Sequence, residues 1–134
     1  MDVNYTIETD YSKDVVLALL SDPEFTIKTF LPVKEIKKES ENLYSVTLPG
    51  TLGNVKMTTR YVNNGDTITL IVNLIRPKGV GKMMIKPEDK RIDIKGTSSI
   101  WTDPILAISM NRKVSKLKKE INEILRLERI RRKI

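Results

Sequence analysis

The side chains that could do chemistry in this chain are hydroxyls, amines, guanidinium groups and carboxylates, because the sequence contains no cysteine and no histidine. Thiolate nucleophiles, disulfides and Cys/His zinc sites are therefore excluded, as is an imidazole base acting near neutral pH. Carboxylates could supply general acid or base catalysis, which requires an acid in a buried site. The acids fall instead in predicted turns, helix caps and outward strand positions, as do Asp22, Glu39, Glu41, Asp66 and Asp89. We therefore expect a protein that is not an enzyme and that uses no metal or cofactor.

Length and composition predict one folded domain over residues 1–134. The chain has 40% hydrophobic and 31% charged residues and is long enough to bury a core of its own. No apolar run approaches the roughly 18–20 residues of a transmembrane helix, and the N-terminus lacks the pattern of a signal peptide, so we expect a cytoplasmic protein. Glutamine is absent while isoleucine, lysine and glutamate are plentiful, a bias typical of proteins from hot environments.

The elements that must position any site begin with a long C-terminal helix. Apolar residues recur at steps of three and four from Leu106 to Leu125, which places them along one helical face. Asp103 and Pro104 suit the N-cap and the first helical position. The run to about Leu127 would be about 36 Å long at ~1.5 Å per residue. A helix of this length needs a broad apolar surface to lie against.

The N-terminal part predicts one strand followed by two short helices. Residues 2–9 alternate apolar and polar side chains, the pattern of a half-buried strand. Ser12 is the predicted N-cap of a helix over residues 13–20, and Asp22-Pro23 is a similar cap for a second helix. The second helix should end at Leu31, because a residue before proline is driven out of the helical conformation.

Six further strands are predicted before the long helix, at residues 33–38, 43–48, 55–61, 68–74, 80–86 and 90–100. Asn63-Asn64-Gly65-Asp66 is a strong hairpin turn, since Asn and Gly tolerate positive φ. Residues 49–54 predict a looser connection, and Pro87 is expected to break the chain between the last two strands. Short turns between consecutive strands favour an antiparallel meander with one apolar face, which the long helix would cover.

This order resembles the helix-grip fold of the START and Bet v 1-like superfamily. The stretch from Ser12 to Asp22-Pro23-Glu24 resembles the segment after the first strand of those proteins, and Leu31-Pro32 matches a Leu-Pro step that follows it. The resemblance implies an α+β fold, with a curved antiparallel sheet of about seven strands around the C-terminal helix and two short helices after strand 1. Within the superfamily the chain most resembles a small group of archaeal proteins from thermoacidophiles. The superfamily binds apolar ligands between sheet and helix, and the archaeal group is associated with fatty-acid carriage.

The inward strand rows and the helix stripe would enclose a mainly aliphatic interior. Core packing is the simpler interpretation for each residue, and a partly open space for an apolar ligand is the functional one. Methionine adapts to varied apolar shapes, and a chain with only seven aromatic residues would suit a flexible acyl chain better than a flat ligand. The predicted lining residues are Val46, Leu48, Val55, Met57, Thr59, Tyr61, Leu70, Val72, Leu74, Met83, Ile94, Leu106, Met110, Lys113 and Leu117.

A carboxylate head group would need a hydrogen-bond donor in this space or at its mouth. Lys113 lies about 40° from the centre of the helix stripe at ~100° per residue. Its stem could pack inward while its ammonium reaches the rim, although extension into plain solvent is the simpler alternative. Arg76 stands at a strand end and is a second rim candidate, while Trp101 is expected to plug the gap between the last strand and the helix. Neutral candidates on inward rows are Tyr5, Tyr44, Tyr61, Thr59 and Ser98.

The net charge of +7 resides entirely in residues 111–134, which hold ten basic groups against three acids. A solvated, fraying helix end beyond Glu128 would be the simplest interpretation of the basic tail. Contact with an anionic membrane surface through Arg129, Arg131, Arg132 and Lys133 is the functional alternative. We do not expect nucleic-acid binding, because the rest of the chain is neutral and no aromatic residues lie among the basic ones.

The sequence thus predicts a non-enzymatic carrier of long-chain fatty acids or similar apolar lipids. Two alternatives stay open: a START-like cyclase or hydrolase with a polar cavity, and a basic module that docks on a membrane or on nucleic acid. If the residues beyond Leu127 dock on a membrane, truncation after Leu127 should leave ligand affinity in solution intact and weaken binding to anionic liposomes.

Overall fold

The computed structural model describes residues 2–74, 78–98 and 104–134. The elements, in chain order, are β1 (Asp2–Glu8), α1 (Lys13–Leu19), α2 (Pro23–Phe30), β2 (Glu35–Ser40), β3 (Leu43–Gly50), β4 (Gly53–Asn63), β5 (Ile68–Leu74), β6 (Gly79–Glu88), β7 (Arg91–Ser98) and α3 (Pro104–Arg132). The predicted order of one strand, two short helices, six strands and one long helix is confirmed. Arg76, Trp101 and Asp103 lie outside the described residues, so the roles predicted for them stay predictions.

The seven strands form one antiparallel sheet in the order β1-β7-β6-β5-β4-β3-β2. Strands β2 to β6 each pair with the next strand in the chain, and β1 pairs with β7 at the far side. Alternate side chains along β3 to β6 are buried, so one face of the sheet is apolar and the other carries the polar and charged residues. This is the predicted meander with a single face to cover.

Helix α3 covers that face with one stripe of side chains. Its buried positions are Leu106, Met110, Val114, Leu117, Ile121, Leu125 and Glu128. They join the inward residues of the sheet and the apolar residues of α1 and α2 in one hydrophobic core. The helix runs to Arg132, five residues beyond the end predicted at Leu127.

Side-chain hydrogen bonds join the segment after β1 to α3 and close the hairpin between β4 and β5. The Thr9 hydroxyl donates to Asn122 Oδ1 at 2.7 Å, and the same oxygen accepts from the backbone N–H of Asp10 at 2.8 Å. At the β4–β5 hairpin, Asn63 Oδ1 accepts from the backbone N–H of Gly65, whose φ is +96°. This confirms the turn predicted from the Asn-Asn-Gly pattern, because the positive φ is available to glycine at little cost.

Two local predictions were wrong. Strand β6 continues through Pro87, which pairs with Ile92 of β7; β5 pairs with β6 only as far as Ile85, so the missing N–H of Pro87 removes no hydrogen bond to a second neighbour. Residues 49–54 are a tight hairpin and not a loose connection, since the strands extend to Gly50 and resume at Gly53.

Both helix caps lie at the predicted positions, but only one of them makes a capping hydrogen bond. Ser12 occupies the N-cap position of α1, but its side chain makes no capping hydrogen bond. The equivalent prediction for α2 is confirmed, because Asp22 Oδ1 accepts from the backbone N–H of Phe25 at 3.2 Å and Pro23 fills the first helical position. Two similar sequence signals thus differ in outcome, because the Asp22 side chain makes a capping hydrogen bond and the Ser12 side chain makes none.

Candidate functional site

The interior between the sheet and α3 is lined by the side chains that the inward rows predicted. Thirteen of the fifteen predicted lining residues are buried, while Val55 and Lys113 are half-buried. The structure therefore brings the predicted set together on the two surfaces that face each other. The part of each residue in binding a ligand stays a prediction.

One polar atom in this interior has no hydrogen-bond partner. Thr59 is completely buried, and its Oγ1 is the one buried side-chain polar atom without a partner among residues 2–74, 78–98 and 104–134. Its cross-strand neighbours on the inward face are Tyr44 on β3 and Val72 on β5. A buried hydroxyl without a partner costs on the order of 1–3 kcal/mol, so its presence needs a reason.

The tyrosines on the inward rows differ in what their hydroxyls do. The Tyr61 hydroxyl donates to the carbonyl of Leu20 at 2.6 Å and accepts from Asn63 Nδ2 at 3.2 Å, so its one proton is already used. Burial raises the pKa of Tyr61, and the Asn63 hydrogen bond opposes that rise. Tyr5 reaches α3, where its hydroxyl donates to Asn111 Oδ1 at 3.4 Å.

Tyr44 is the remaining described tyrosine of this set, and it is buried. Burial raises its pKa, and the negative charges of Asp22, Glu24 and Glu41 raise it further. The Tyr44 phenol therefore stays protonated at neutral pH, and the same negative charges disfavour an anionic head group near it. Ser98 is the last residue of β7, and its side chain lies outside what the structure describes.

Lys113 sits half-buried on α3 between the core stripe and the solvent. Burial lowers its pKa, and the charge of Lys116 lowers it further, whereas Glu120 opposes both effects. An open groove of about 240 Å³ runs beside it, lined by Lys113, Lys116, Leu117, Glu120, Glu123, Ile124 and Leu127. Lys113 thus lines this groove on α3, and its part in holding a head group stays a prediction.

Two other depressions that the described residues line are on the outside of the molecule. One, of about 630 Å³, follows the outer side of α3 from Ile108 to Glu120. The other, of about 420 Å³, lies across β2, β3 and β4 and is lined mostly by their outward residues. Neither of these two depressions opens between the central strands and α3.

A charged cluster that the sequence did not predict joins the end of α3 to α1 and α2. Glu128 is 8% exposed and is the one charged side chain buried among the described residues. Its Oε1 accepts hydrogen bonds from Arg131 and, at 2.8 Å, from Arg132 Nε. Arg132 also donates to the carbonyl of Leu19 at 2.7 Å and lies 3.6 Å from Asp22 Oδ2.

The expectation of a solvated, fraying tail is therefore wrong for Arg132. Its side chain is only 18% exposed, and its guanidinium also lies 5.4 Å from the centre of the Phe25 ring. Arg129 lies in the same way over Tyr11, at 5.5 Å. The spacing of Glu128 and Arg132 at i and i+4 was a visible signal for an ion pair, but nothing in the sequence indicated that both would meet α1 and α2.

This cluster also bears on catalysis. Burial raises the pKa of Glu128, but the hydrogen bonds and charges of Arg131 and Arg132 outweigh burial and hold the pKa below its usual value. The carboxylate therefore stays ionised and paired at neutral pH, which does not suit a general acid.

Clusters of acidic side chains that could hold a metal ion are not found in residues 2–74, 78–98 and 104–134. Within the same ranges, none of the helices combines the length and apolar character needed to cross a bilayer.

Comparison with known proteins places the chain in a family and gives it a fold name. A protein-family model matches residues 1–134. The chain belongs to the family that this model describes. No curated protein matches it. Among solved structures, a hypothetical protein from Sulfolobus tokodaii is 26% identical, with a TM-score of 0.77 over 98% of this chain and 99% of the other.

Two more distant structures show the fold alone. The Zhui aromatase/cyclase from Streptomyces sp. R1128 is 13% identical, with a TM-score of 0.63 over 97% of this chain and 95% of the other. Ara h 8.0201 is 10% identical, with a TM-score of 0.55 over 93% of this chain and 94% of the other. The protein has the Bet v 1-like helix-grip fold, as the order of elements predicted.

Proposed function

We propose that this helix-grip protein binds and carries an apolar small molecule, a long-chain fatty acid or a similar lipid, between the sheet and α3. The observation that supports this proposal best is the composition of the interior, an aliphatic space containing one buried hydroxyl, that of Thr59, without a partner. An apolar ligand with one polar end needs this combination of a long apolar surface and few polar groups. Other helix-grip proteins support an apolar ligand in general and leave its chemical class to experiment.

Room for an acyl chain would come from rearrangement of the interior. Three of the predicted lining residues are methionines, Met57, Met83 and Met110, and each is at most 5% exposed. The unbranched thioether can adopt several shapes at small cost, so these side chains can move aside where branched ones would resist. A flexible ligand could therefore replace contacts between the sheet and α3 without unfolding the grip.

We propose further that this carriage involves no catalysis. Acid–base chemistry in this interior would need a titratable group tuned to the working pH and facing the ligand. Glu128, the buried acid among the described residues, faces α1 and α2 and is held ionised by two arginines. The similarity to an aromatase/cyclase concerns the fold and supplies no such group here.

The proposal is tested by titrating the purified protein with a fluorescent acyl probe and displacing the probe with palmitate. We expect saturable binding and full displacement. A matched pair of variants locates the site, since Met83 and Met84 are neighbours on opposite faces of β6, at 4% and 40% exposure. Met83→Trp should reduce probe affinity at least about tenfold by filling the interior, whereas Met84→Trp should leave the affinity unchanged.

Met83→Phe provides a milder change if the larger ring prevents folding, which circular dichroism will show. Probe binding that does not saturate, or that palmitate does not displace, would contradict carriage. Equal affinity of the Met83 and Met84 variants would place the ligand outside the interior.

A further inference from the structure

Exposed apolar side chains of this protein are concentrated on one side of α3. Among the described residues, eight large hydrophobic side chains are exposed, and four of them, Ile105, Ile108, Leu127 and Ile130, lie on this helix. A fifth, Ile134, directly follows it. At ~100° per residue the four fall within an arc of roughly 100°, on the side of the helix away from the core stripe. We call this face the outward stripe.

Basic residues occupy the middle of the same stripe. Arg112, Lys116 and Lys119 are exposed and fall within the arc that the four apolar residues define. The acid on that arc, Glu123, is paired with Arg126 of the same helix. The outward stripe is therefore apolar at both ends and positively charged between them.

The position of the net charge identifies the kind of partner. Residues 111–134 carry the whole excess of +7, while the rest of the chain is neutral. A second copy of the protein, docked through the same helix, would bring two such charges together and be opposed by them. An anionic lipid surface has the opposite charge and also offers an apolar layer for Ile105, Ile108, Leu127 and Ile130.

We propose that α3 docks through its outward stripe on an anionic lipid bilayer and lies parallel to its surface. The stripe spans about 38 Å from Ile105 to Ile130 at ~1.5 Å per residue. The apolar side chains at its ends enter the headgroup region, and the basic side chains in the middle meet the lipid phosphates, as in other helices that lie in a membrane interface. The core stripe stays packed on the sheet throughout.

This surface differs from the one that the sequence indicated. Arg132 is enclosed by Glu128, Asp22 and the carbonyl of Leu19, and Arg131 is paired with Glu128. The docking surface instead uses residues that are exposed on the outward side of α3. It does not depend on what the interior binds, so it can be tested separately from the proposed carriage.

The test is cosedimentation of the full-length protein with vesicles of phosphatidylcholine alone and of an equal mixture of phosphatidylcholine and phosphatidylglycerol. We expect binding to the mixed vesicles, at least about tenfold weaker binding to the neutral ones, and a steep loss of binding with added salt. Equal binding to both vesicles, or to neither, would overturn the proposal.

Two pairs of variants, matched in charge or in apolar area, assign the surface. Arg112→Glu with Lys119→Glu should weaken binding to mixed vesicles at least about tenfold. The same change at Lys82 and Lys95, exposed on the outer face of the sheet, gives an identical net charge and should have a much smaller effect. An equal loss in both double variants would show that net charge alone is responsible and would overturn the assignment to α3.

Replacing both Leu127 and Ile130 with serine should also weaken binding to the mixed vesicles at least about fivefold. Replacing the exposed Val80 and Met84 of β6 with serine should not weaken it. Sedimentation equilibrium without vesicles tests whether a second copy of the protein occupies the outward stripe instead. A dimer that the Leu127 and Ile130 changes dissociate would assign the outward stripe to a second copy of the chain and would overturn membrane docking.

Discussion

At the scale of single residues, substitution of Thr59 distinguishes two interpretations of the interior, a packed core and a ligand-binding site. Thr59→Val removes a buried polar atom that has no partner, so the free energy of unfolding of the ligand-free protein should rise by about 1 kcal/mol. Denaturant unfolding measures this change. Thr58→Val, one position away and on the other face of β4, should change stability little.

The same variant has a second expected effect if a ligand uses the hydroxyl. Affinity for a ligand with a polar end should fall several-fold, while affinity for a plain hydrocarbon should not change. A variant that is less stable than the natural protein and binds palmitate as tightly would show that Thr59 neither lacks a partner nor serves a ligand.

Glu128 is the residue through which pH should act on stability. Its pKa is lower in the folded state than in the unfolded chain, because the two arginines outweigh burial. A group of this kind stabilises the fold above its unfolded pKa, and this contribution is lost as the pH falls through the folded pKa. Stability should therefore decline below about pH 4.

Glu128→Gln should cost about 2 kcal/mol at neutral pH, since Arg132 would lose its charged acceptor in a mostly buried setting. The variant should also show a shallower loss of stability in acid than the natural protein. Unfolding curves at neutral and acidic pH test both statements, and parallel acid profiles would contradict the assignment to Glu128.

At the scale of elements, the two short helices provide a matched comparison. Asp22→Ala removes the hydrogen bond to the backbone N–H of Phe25 together with the ion pairs to Arg131 and Arg132, and should cost about 1 kcal/mol or more. Ser12→Ala should cost only a few tenths of that, because the Ser12 side chain makes no capping bond. Equal losses, measured by thermal unfolding, would show that α1 is capped in solution as well.

The end of α3 is a structural element and not an appendage. Truncation after Leu127 removes both Glu128 and Arg132. The contacts of Arg132 to Leu19, Asp22 and Phe25 are lost with them. We expect this truncation to destabilise the protein by about 3 kcal/mol or more. Removal of Lys133 and Ile134 alone is the control, and unfolding temperatures that agree for both truncations would contradict this view.

At the scale of the whole molecule, the sequence predicted the fold well because its patterns are local. The stripe of α3 and the alternation of β3 to β6 each follow from spacing within one element, and short turns between strands leave few topologies. The passage of β6 through Pro87 was missed because it depends on where β5 stops pairing. That is a property of the neighbouring strand and not of the local sequence.

Of the candidate site, only the burial of the lining residues was predictable in this way. Burial of the predicted lining residues follows from periodicity, so it could be anticipated. The unpartnered Thr59 hydroxyl and the ionic contacts of Arg132 with α1 and α2 depend on residues more than ten positions away in the chain. Pairing between distant polar groups has no periodic signal, which is why the structure was needed to find them.

The most direct test of the central claim uses the methyl groups of methionine as reporters. Met57, Met83 and Met110 line the interior, whereas Met84 is exposed on the outer face of the sheet. In a protein labelled at the methionine methyl carbons, titration with palmitate should shift the NMR signals of the three interior methyls and leave that of Met84 in place. Signals that do not move, or a shift confined to Met84, would contradict binding between the sheet and α3.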